Sequence, residues 1–179
     1  LLAWGVSYDP AKVVGDATAA LQIQVAPDQP PAPHIGFLGL GPEYLARGDV
    51  VTANLETLNL GFAGALSAAK DASTRFEPLL SSSAQSALIE ATRMQVSRDP
   101  SALLKDFAPG GQAFTLAARI GGPAKSAFAG PQKEGQPHIA ENKDIHVVVV
   151  ADADLLADRF WVQVQDFFGG FLCQLAEGG

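Results

Sequence analysis

An apolar stretch near the carboxyl end, residues 145–150, constrains the fold more than any other part of the sequence. It holds four consecutive valines, residues 147–150, and it ends abruptly at Asp152 and Asp154. A β-branched run without polar residues at alternate positions is typical of a strand buried on both faces of a parallel sheet. A segment of helical character, residues 156–168, follows it. We therefore predict an α/β domain in which residues 147–150 form a central parallel strand with all four valines buried.

Alternating apolar residues and proline signals predict further elements. Leu21 and Ile23 alternate with glutamines, which indicates a half-buried strand over residues 19–25. Strands are also predicted over residues 12–16, 74–80 and 114–120. A short helix is predicted to start at Asp99-Pro100-Ser101, because a cap residue followed by proline is a helix-start signal.

Length, charge and cysteine content limit the class of protein. The 179 residues, 47% of them apolar, suit one domain over residues 1–179. A net charge of −7 argues against a nucleic-acid or anionic-lipid partner. Cys173 is the only cysteine, so no internal disulfide forms. Residue 1 is Leu and the only methionine is Met94, so we expect the chain to be part of a longer protein.

Asp152 and Asp154 form the first candidate site. In a parallel sheet they would lie at the carboxyl edge, where open α/β folds bind ligands, and paired carboxylates can hold Mg²⁺ or place a nucleophile. The competing interpretation is structural: Asp154 caps the following helix, and Asp152 accepts hydrogen bonds from loop amides. No third acidic residue stands at a recognisable ligand spacing. We therefore favour the structural role and expect no metal and no cofactor.

The run Ser81-Ser82-Ser83 forms the second candidate site. A serine nucleophile needs a base held by a third group, and the three histidines of the chain lie in proline-containing segments or inside the valine run. The sequence contains no Gly-x-Ser-x-Gly elbow and no complete phosphate-binding glycine pattern. We expect a turn role for the serines. Together with Asp152 and Asp154, they are predicted to line a protein-binding surface, because loops on a rigid scaffold carry most recognition.

Several segments together resemble one known family. In chain order they are Trp4-Gly5-Val6, Val13-Val14-Gly15-Asp16, Val51-Thr52-Ala53-Asn54-Leu55-Glu56, Ala63-Gly64-Ala65-Leu66, Phe76-Glu77-Pro78-Leu79-Leu80, Leu116-Ala117-Ala118-Arg119-Ile120, Ser126-Ala127-Phe128 and Val149-Val150-Ala151-Asp152-Ala153-Asp154. Their order and spacing resemble the soluble domain of the gliding-motility-type auxiliary components of ABC transport systems, over nearly the whole chain.

The resemblance implies a fold and a place in the cell. The fold would be of the flavodoxin or class I glutamine-amidotransferase type, a mostly parallel sheet flanked by helices. The family's amino-terminal strands would be missing from this chain, and the sheet would then be incomplete or completed by a neighbour. The domain would lie on the extracytoplasmic (periplasmic) face of the membrane, tethered by transmembrane helices of the full-length protein. Its partners would be the membrane and ATP-binding subunits of an ABC transporter.

Two functions are left open. The family has no established catalytic residues to carry over, which favours a non-catalytic auxiliary domain that binds other proteins. The alternative is a hydrolase or metal-dependent enzyme that uses Asp152 and Asp154. The two functions differ in whether these carboxylates converge with another acid or a histidine in a pocket.

Overall fold

The computed structural model describes residues 1–24, 28–96, 99–158, 162–167 and 170–175, the last two segments by their backbone. Its strands are β1 (Val6–Tyr8), β2 (Lys12–Asp16), β3 (Ala20–Ile23), β4 (Ala32–Leu40), β5 (Leu58–Gly61), β6 (Leu66–Ala68), β7 (Arg75–Ser81), β8 (Ser86–Glu90), β9 (Thr115–Lys125), β10 (Glu141–Val150), β11 (Val162–Phe167) and β12 (Gly170–Leu175). Two short α-helices, α1 (Ala91–Val96) and α2 (Pro100–Lys105), and 3₁₀ helices at Leu2–Trp4, Pro42–Tyr44 and Asp154–Leu156 complete the described elements.

Every strand pairing in the described ranges is antiparallel. The predicted mostly parallel α/β fold, of the flavodoxin or class I glutamine-amidotransferase type, is therefore wrong. The structure is mostly β, and its helices are too short to cover both faces of a sheet as that fold requires.

β9 is the central strand of the largest sheet. It pairs with β7 along one edge and with β10 along the other, and it meets β6 at the single pair Leu66–Thr115. β1 extends this sheet beyond β6. The remaining described strands form a three-stranded sheet, β3–β4–β5, and the pairs β2–β8 and β11–β12. β9 can be packed on both faces because Ala117 and Ala118 are small, and both are buried.

β10 is the strand whose position in the sheet was predicted wrongly from the sequence. It pairs with β9 alone and so lies at the edge of its described sheet. Val148 is exposed at 39%, whereas Val149 is half-buried and packs against the cluster of Val6, Leu66 and Ile120. The prediction of a central strand with four buried valines is therefore wrong. The predicted helix over residues 156–168 is also wrong, since the described backbone forms the 3₁₀ turn Asp154–Leu156 and then β11.

Three hydrophobic clusters hold the sheets together. The largest joins β2, β4, β5, β7 and β9 through fully buried residues such as Leu38, Leu60 and Leu116. A second cluster lies between β1, β6 and β9. A third holds α1 and α2 against β2 and β4 through Met94 and Leu103. The helices therefore cover one side of the β2–β8 pair.

Several local predictions are confirmed. The predicted strands over residues 12–16, 74–80 and 114–120 correspond to β2, β7 and β9. Of the strand predicted over residues 19–25, the structure forms β3 (Ala20–Ile23), and residue 25 lies outside the described residues. The predicted helix start is α2, where Asp99 Oδ1 accepts a hydrogen bond from the Ser101 amide at 2.9 Å and Pro100 occupies the first turn. Signals carried by neighbouring residues in the sequence were therefore sufficient for these elements.

Candidate functional site

Asp152 joins the end of β10 to the end of β5. Its Oδ2 accepts a hydrogen bond from the Gly61 amide at 2.8 Å, and its Oδ1 accepts one from the Asp154 amide at 2.7 Å. Next to it, the Gly64 amide donates to the Ala151 carbonyl at 2.8 Å. The carboxylate therefore serves to connect two loops at one end of the sheet.

The turn that Asp152 holds carries local backbone strain. Phe62, between the two bonded glycines, has a φ of 56°, a left-handed conformation that non-glycine residues adopt rarely. Its amide donates to the Gly36 carbonyl at 2.7 Å, and the Val14 amide donates to the Ala63 carbonyl at the same length. Strain of this kind persists where the surroundings over-determine the backbone, as these bonds to three different elements do.

The ionisation of Asp152 is shifted by its surroundings. Burial raises the pKa of the Asp152 carboxyl, and the hydrogen bonds from the Gly61 and Asp154 amides act in the opposite direction. Asp154 itself stands in the first turn of the short 3₁₀ helix, whose cap position is occupied by Ala153. Asp154 therefore does not occupy the cap position that was predicted for it, whereas Asp152 accepts hydrogen bonds from nearby amides as predicted.

Ser83 binds a buried carboxylate, that of Asp16 at the end of β2. Asp16 is fully buried and accepts four hydrogen bonds, from the amides of Thr18 and Ala19 and from both the amide and the hydroxyl of Ser83, at 2.6–3.1 Å. Asp16 was not among the candidate residues predicted from the sequence. An aspartate two residues before Thr18 is a turn signal, but its partnership with Ser83, 67 residues away, has no local signature.

Ser82 and Ser86 connect the β7–β8 turn to the start of β9. The Ser82 hydroxyl accepts a hydrogen bond from the Phe114 amide at 2.8 Å and lies 2.8 Å from the Ser86 hydroxyl. The hydroxyl of Ser86, which is fully buried, lies 2.7 and 2.9 Å from the carbonyl oxygens of Ser83 and Gln112 and can donate its hydrogen to either. Ser81 is part of β7 and pairs with Thr115 of β9. Ser82 and Ser83 therefore lie in the turn, as predicted, whereas Ser81 is a strand residue.

The two candidate sets lie at the same end of β9 but on its opposite edges. Ala151 donates its amide to Leu116 on one edge, and Ser81 pairs with Thr115 on the other. β9 therefore separates Asp152 and Asp154 from the serines. In the described ranges, no group of three or more His, Cys, Asp or Glu side chains is arranged to hold a metal ion. The described helices also include none that is long and apolar enough to cross a membrane.

Comparison with known proteins identifies a family. A family model described as "ABC-type uncharacterized transport system" matches residues 1–176. A search of curated proteins and a search of solved structures each returned no match. Because the family match spans nearly the whole chain, this protein belongs to that family, the auxiliary components of uncharacterised ABC-type transport systems.

Proposed function

We propose that this domain serves its transport system by binding other subunits and not by turnover. The observation that supports the proposal is that the polar side-chain atoms of the candidate residues already have hydrogen-bond partners within the domain. Both carboxylate oxygens of Asp152 and the hydroxyls of Ser82 and Ser83 are engaged in hydrogen bonds within the domain. A nucleophile or a general base needs a hydrogen bond to its substrate or to a catalytic partner instead.

The enzyme alternative has one observation in its favour. A half-buried carboxyl with a raised pKa, such as that of Asp152, is a candidate general acid. The geometry of Asp152 argues against the role of general acid, because both of its carboxylate oxygens accept hydrogen bonds from the amides of Gly61 and Asp154. The alternative therefore requires Asp152 to leave these amides during a reaction.

Co-purification and activity measurements on the same protein separate the two functions. The full-length protein should co-purify from membranes with the membrane and ATP-binding subunits of its transport system. The purified domain should show no hydrolysis of ester, peptide or phosphate substrates above background. Hydrolysis that is present in the wild type, absent in Asp152→Asn and retained in the exposed control Asp158→Asn would establish the enzyme. Failure of every subunit to co-purify would refute the binding function.

We propose further, from the family resemblance, that the system is of the gliding-motility type and that the domain lies on the extracytoplasmic face. An amine-reactive reagent that does not cross membranes should then label this domain in intact cells. The control is a cytoplasmic protein, which should be labelled only after lysis. Labelling of the domain only after lysis would place it in the cytoplasm and refute the proposed location.

A further inference from the structure

We propose that the free edge of β8 is the docking site for an extended segment of a partner subunit, which adds to the β2–β8 pair as a third strand. The proposal depends on the proposed function, in which the domain binds other proteins of its transport system. Three features carry it: unpaired main-chain groups, an apolar groove beside them, and exposed, exchangeable ion pairs at one end.

The orientation of the main chain follows from the hydrogen bonds of β2. The Val14 amide donates to Ala63 at 2.7 Å, away from β8, so Val14 and Leu88 form a non-hydrogen-bonded pair of the antiparallel ladder. The amide and carbonyl of Leu88 therefore point to the outer edge of β8. Ser86, two residues earlier, has the same orientation, and its carbonyl accepts a hydrogen bond on that edge from the Gly110 amide at 2.8 Å.

The outer edge is open beyond Ser86. Within the part of the chain that the structure describes, neither the amide nor the carbonyl of Leu88 has a hydrogen-bond partner. A donor and an acceptor on the same residue of an edge strand match the spacing of one residue of an added antiparallel strand. Strand addition of this kind gives affinity through the main chain.

A groove of about 290 Å³ runs between this edge and the segment at the end of α2. Ile89, Leu103 and Phe107 contribute apolar lining, and all three belong to the cluster that holds the helices against the sheet. Ala108 stands exposed at the side of the groove. An added strand would direct alternate side chains toward this lining, so that the groove would select an apolar residue at that position.

Charges at one end of the groove define the partner further. Arg93 pairs with Asp106 at 3.6 Å, and Glu90 pairs with Lys12 at 3.8 Å, both on the exposed surface. Exposed ion pairs of this length are weak and can be exchanged. Each acid of the lining, Glu90 and Asp106, thus has a cationic partner in the free protein. The occupant is therefore an extended segment with an apolar residue toward the groove and a basic residue that can replace Arg93 beside Asp106.

Hydrogen exchange on the co-purified complex tests the site directly. The outward amide of Leu88 should exchange at least about tenfold more slowly in the complex than in the free protein, because it gains a strand partner. The amides of residues 141–150 provide the internal reference and should be unchanged. Protection that appears in the isolated protein as its concentration rises would assign the edge to self-association and overturn the proposal.

Matched variants test the same site by affinity for the purified membrane and ATP-binding subunits. Leu88→Pro removes the outward amide, a substitution that edge strands tolerate, and Leu88→Ala is its control because it keeps that amide. Ala108→Arg fills the groove from an exposed position, and Ala113→Arg places the same side chain at an exposed position away from it. Leu88→Pro and Ala108→Arg should each weaken binding at least about tenfold, and the controls by less than about twofold.

The outcomes separate this proposal from the proposed function. If the subunits bind but Ala108→Arg and Leu88→Pro, folded as judged by circular dichroism, bind like the wild type, the domain is a binding module that uses another surface. Loss of binding in Asp154→Lys alone would move the contact to the surface predicted around Asp152 and Ser81–Ser83. If the wild-type protein binds no subunit, the proposed function itself fails.

Discussion

Asp16 and Asp152 show what carboxylates do in this domain at the scale of single residues. Each ends or follows a strand, and each accepts hydrogen bonds from main-chain amides of a distant loop, Ser83 for Asp16 and Gly61 for Asp152. Amide donors buried without a partner are costly, so a loop that folds over a strand end requires acceptors. The two side chains therefore fix loops that the strands alone would leave undefined.

Asp16→Ala should lower the free energy of unfolding by at least about 2 kcal/mol, because it leaves the amides of Thr18, Ala19 and Ser83 without their acceptor in a buried site. Urea unfolding at neutral pH measures the change. Asp9→Ala is the control: Asp9 accepts an amide hydrogen bond from Ala11 in the same way, but on the surface, and its loss should cost less than about 0.5 kcal/mol. Equal losses in the two variants would contradict the role given to Asp16.

His34 is predicted to make the stability of the domain depend on pH near neutrality. It is buried in β4, where its Nδ1 accepts a hydrogen bond from the Gly36 amide and its ring meets Phe37 and Phe62 edge-on. Burial lowers the pKa of the His34 ring from its ordinary value of 6.5. The unfolded chain then binds the proton more readily than the folded one, so stability is full above about pH 6.5 and falls as the pH drops below it.

Unfolding free energies of the wild type and of His34→Gln, measured by urea between pH 5 and pH 8, test this dependence. The wild type should lose stability toward pH 5, and the variant should lose less over the same interval. His146→Gln, at an exposed position of β10, controls for the removal of a histidine as such. The same pH slope in the wild type and in His34→Gln would show that His34 is not the group responsible.

At the scale of elements, β10 shows that a run of valines does not specify a buried strand. The side chains of Val147 and Val149 share one face of the strand, and those of Val148 and Val150 share the other. Val149 and Val150 pack on different clusters, whereas Val148 reaches solvent. Both faces of β10 are thus partly covered. Its sequence therefore lacks the alternation of apolar and polar residues that is typical of a strand with one face in solvent.

Val148→Asp should therefore fold, with a loss of less than about 1 kcal/mol, whereas a buried position for Val148, as predicted from the sequence, would make this substitution prevent folding. Val148 is exposed, and its cross-strand neighbour is the cationic Arg119. Val149→Asp is the matched variant on the opposite face and should lose more than about 2 kcal/mol, since it places a carboxylate in the Ile120 cluster. Thermal unfolding of both variants measures the contrast. A Val148→Asp protein that does not unfold cooperatively would support the sequence-based prediction that Val148 is buried.

For the molecule as a whole, local signals and long-range pairings differ in how well the sequence predicts them. Asp99-Pro100 marked α2 correctly because a cap and a proline act within four residues. The pairing of β2 with β8 joins Val14 to Leu88, and no alternation within either strand indicates it. The antiparallel direction of β10 could not be deduced for the same reason, since β-propensity reports side-chain packing and not the direction of the neighbour. The prediction of a site at Asp152 depended on the prediction of a parallel sheet, in which residues that follow a strand lie at a ligand-binding edge. Because the sheet is antiparallel, Asp152 does not lie at such an edge.

The acid stability of the whole domain is predicted to depend on one long-range ion pair. Arg119 of β9 binds Asp49 with two hydrogen bonds, Nε to Oδ2 at 2.6 Å and a guanidinium NH₂ group to Oδ1 at 2.7 Å. The side-chain hydrogen bonds from Arg119 are the largest cause that lowers the pKa of Asp49 from 3.8 to about 2. A lowered pKa means that the pair stabilises the fold above about pH 3.8 and that this contribution is lost as the pH falls toward 2.

A double-mutant cycle with Asp49→Asn and Arg119→Gln isolates this contribution. The coupling energy between the two positions should be favourable at pH 6 and should disappear near pH 2, where Asp49 becomes protonated in the folded state. Salt should weaken it only modestly, because the bidentate geometry and partial burial of both side chains limit screening. The exposed pair Arg75–Glu77, at 3.8 Å, is the control and should show little coupling at either pH. A coupling energy for Asp49 and Arg119 that is unchanged between pH 6 and pH 2 would mean that packing of the two side chains, and not their charge, holds this loop to β9.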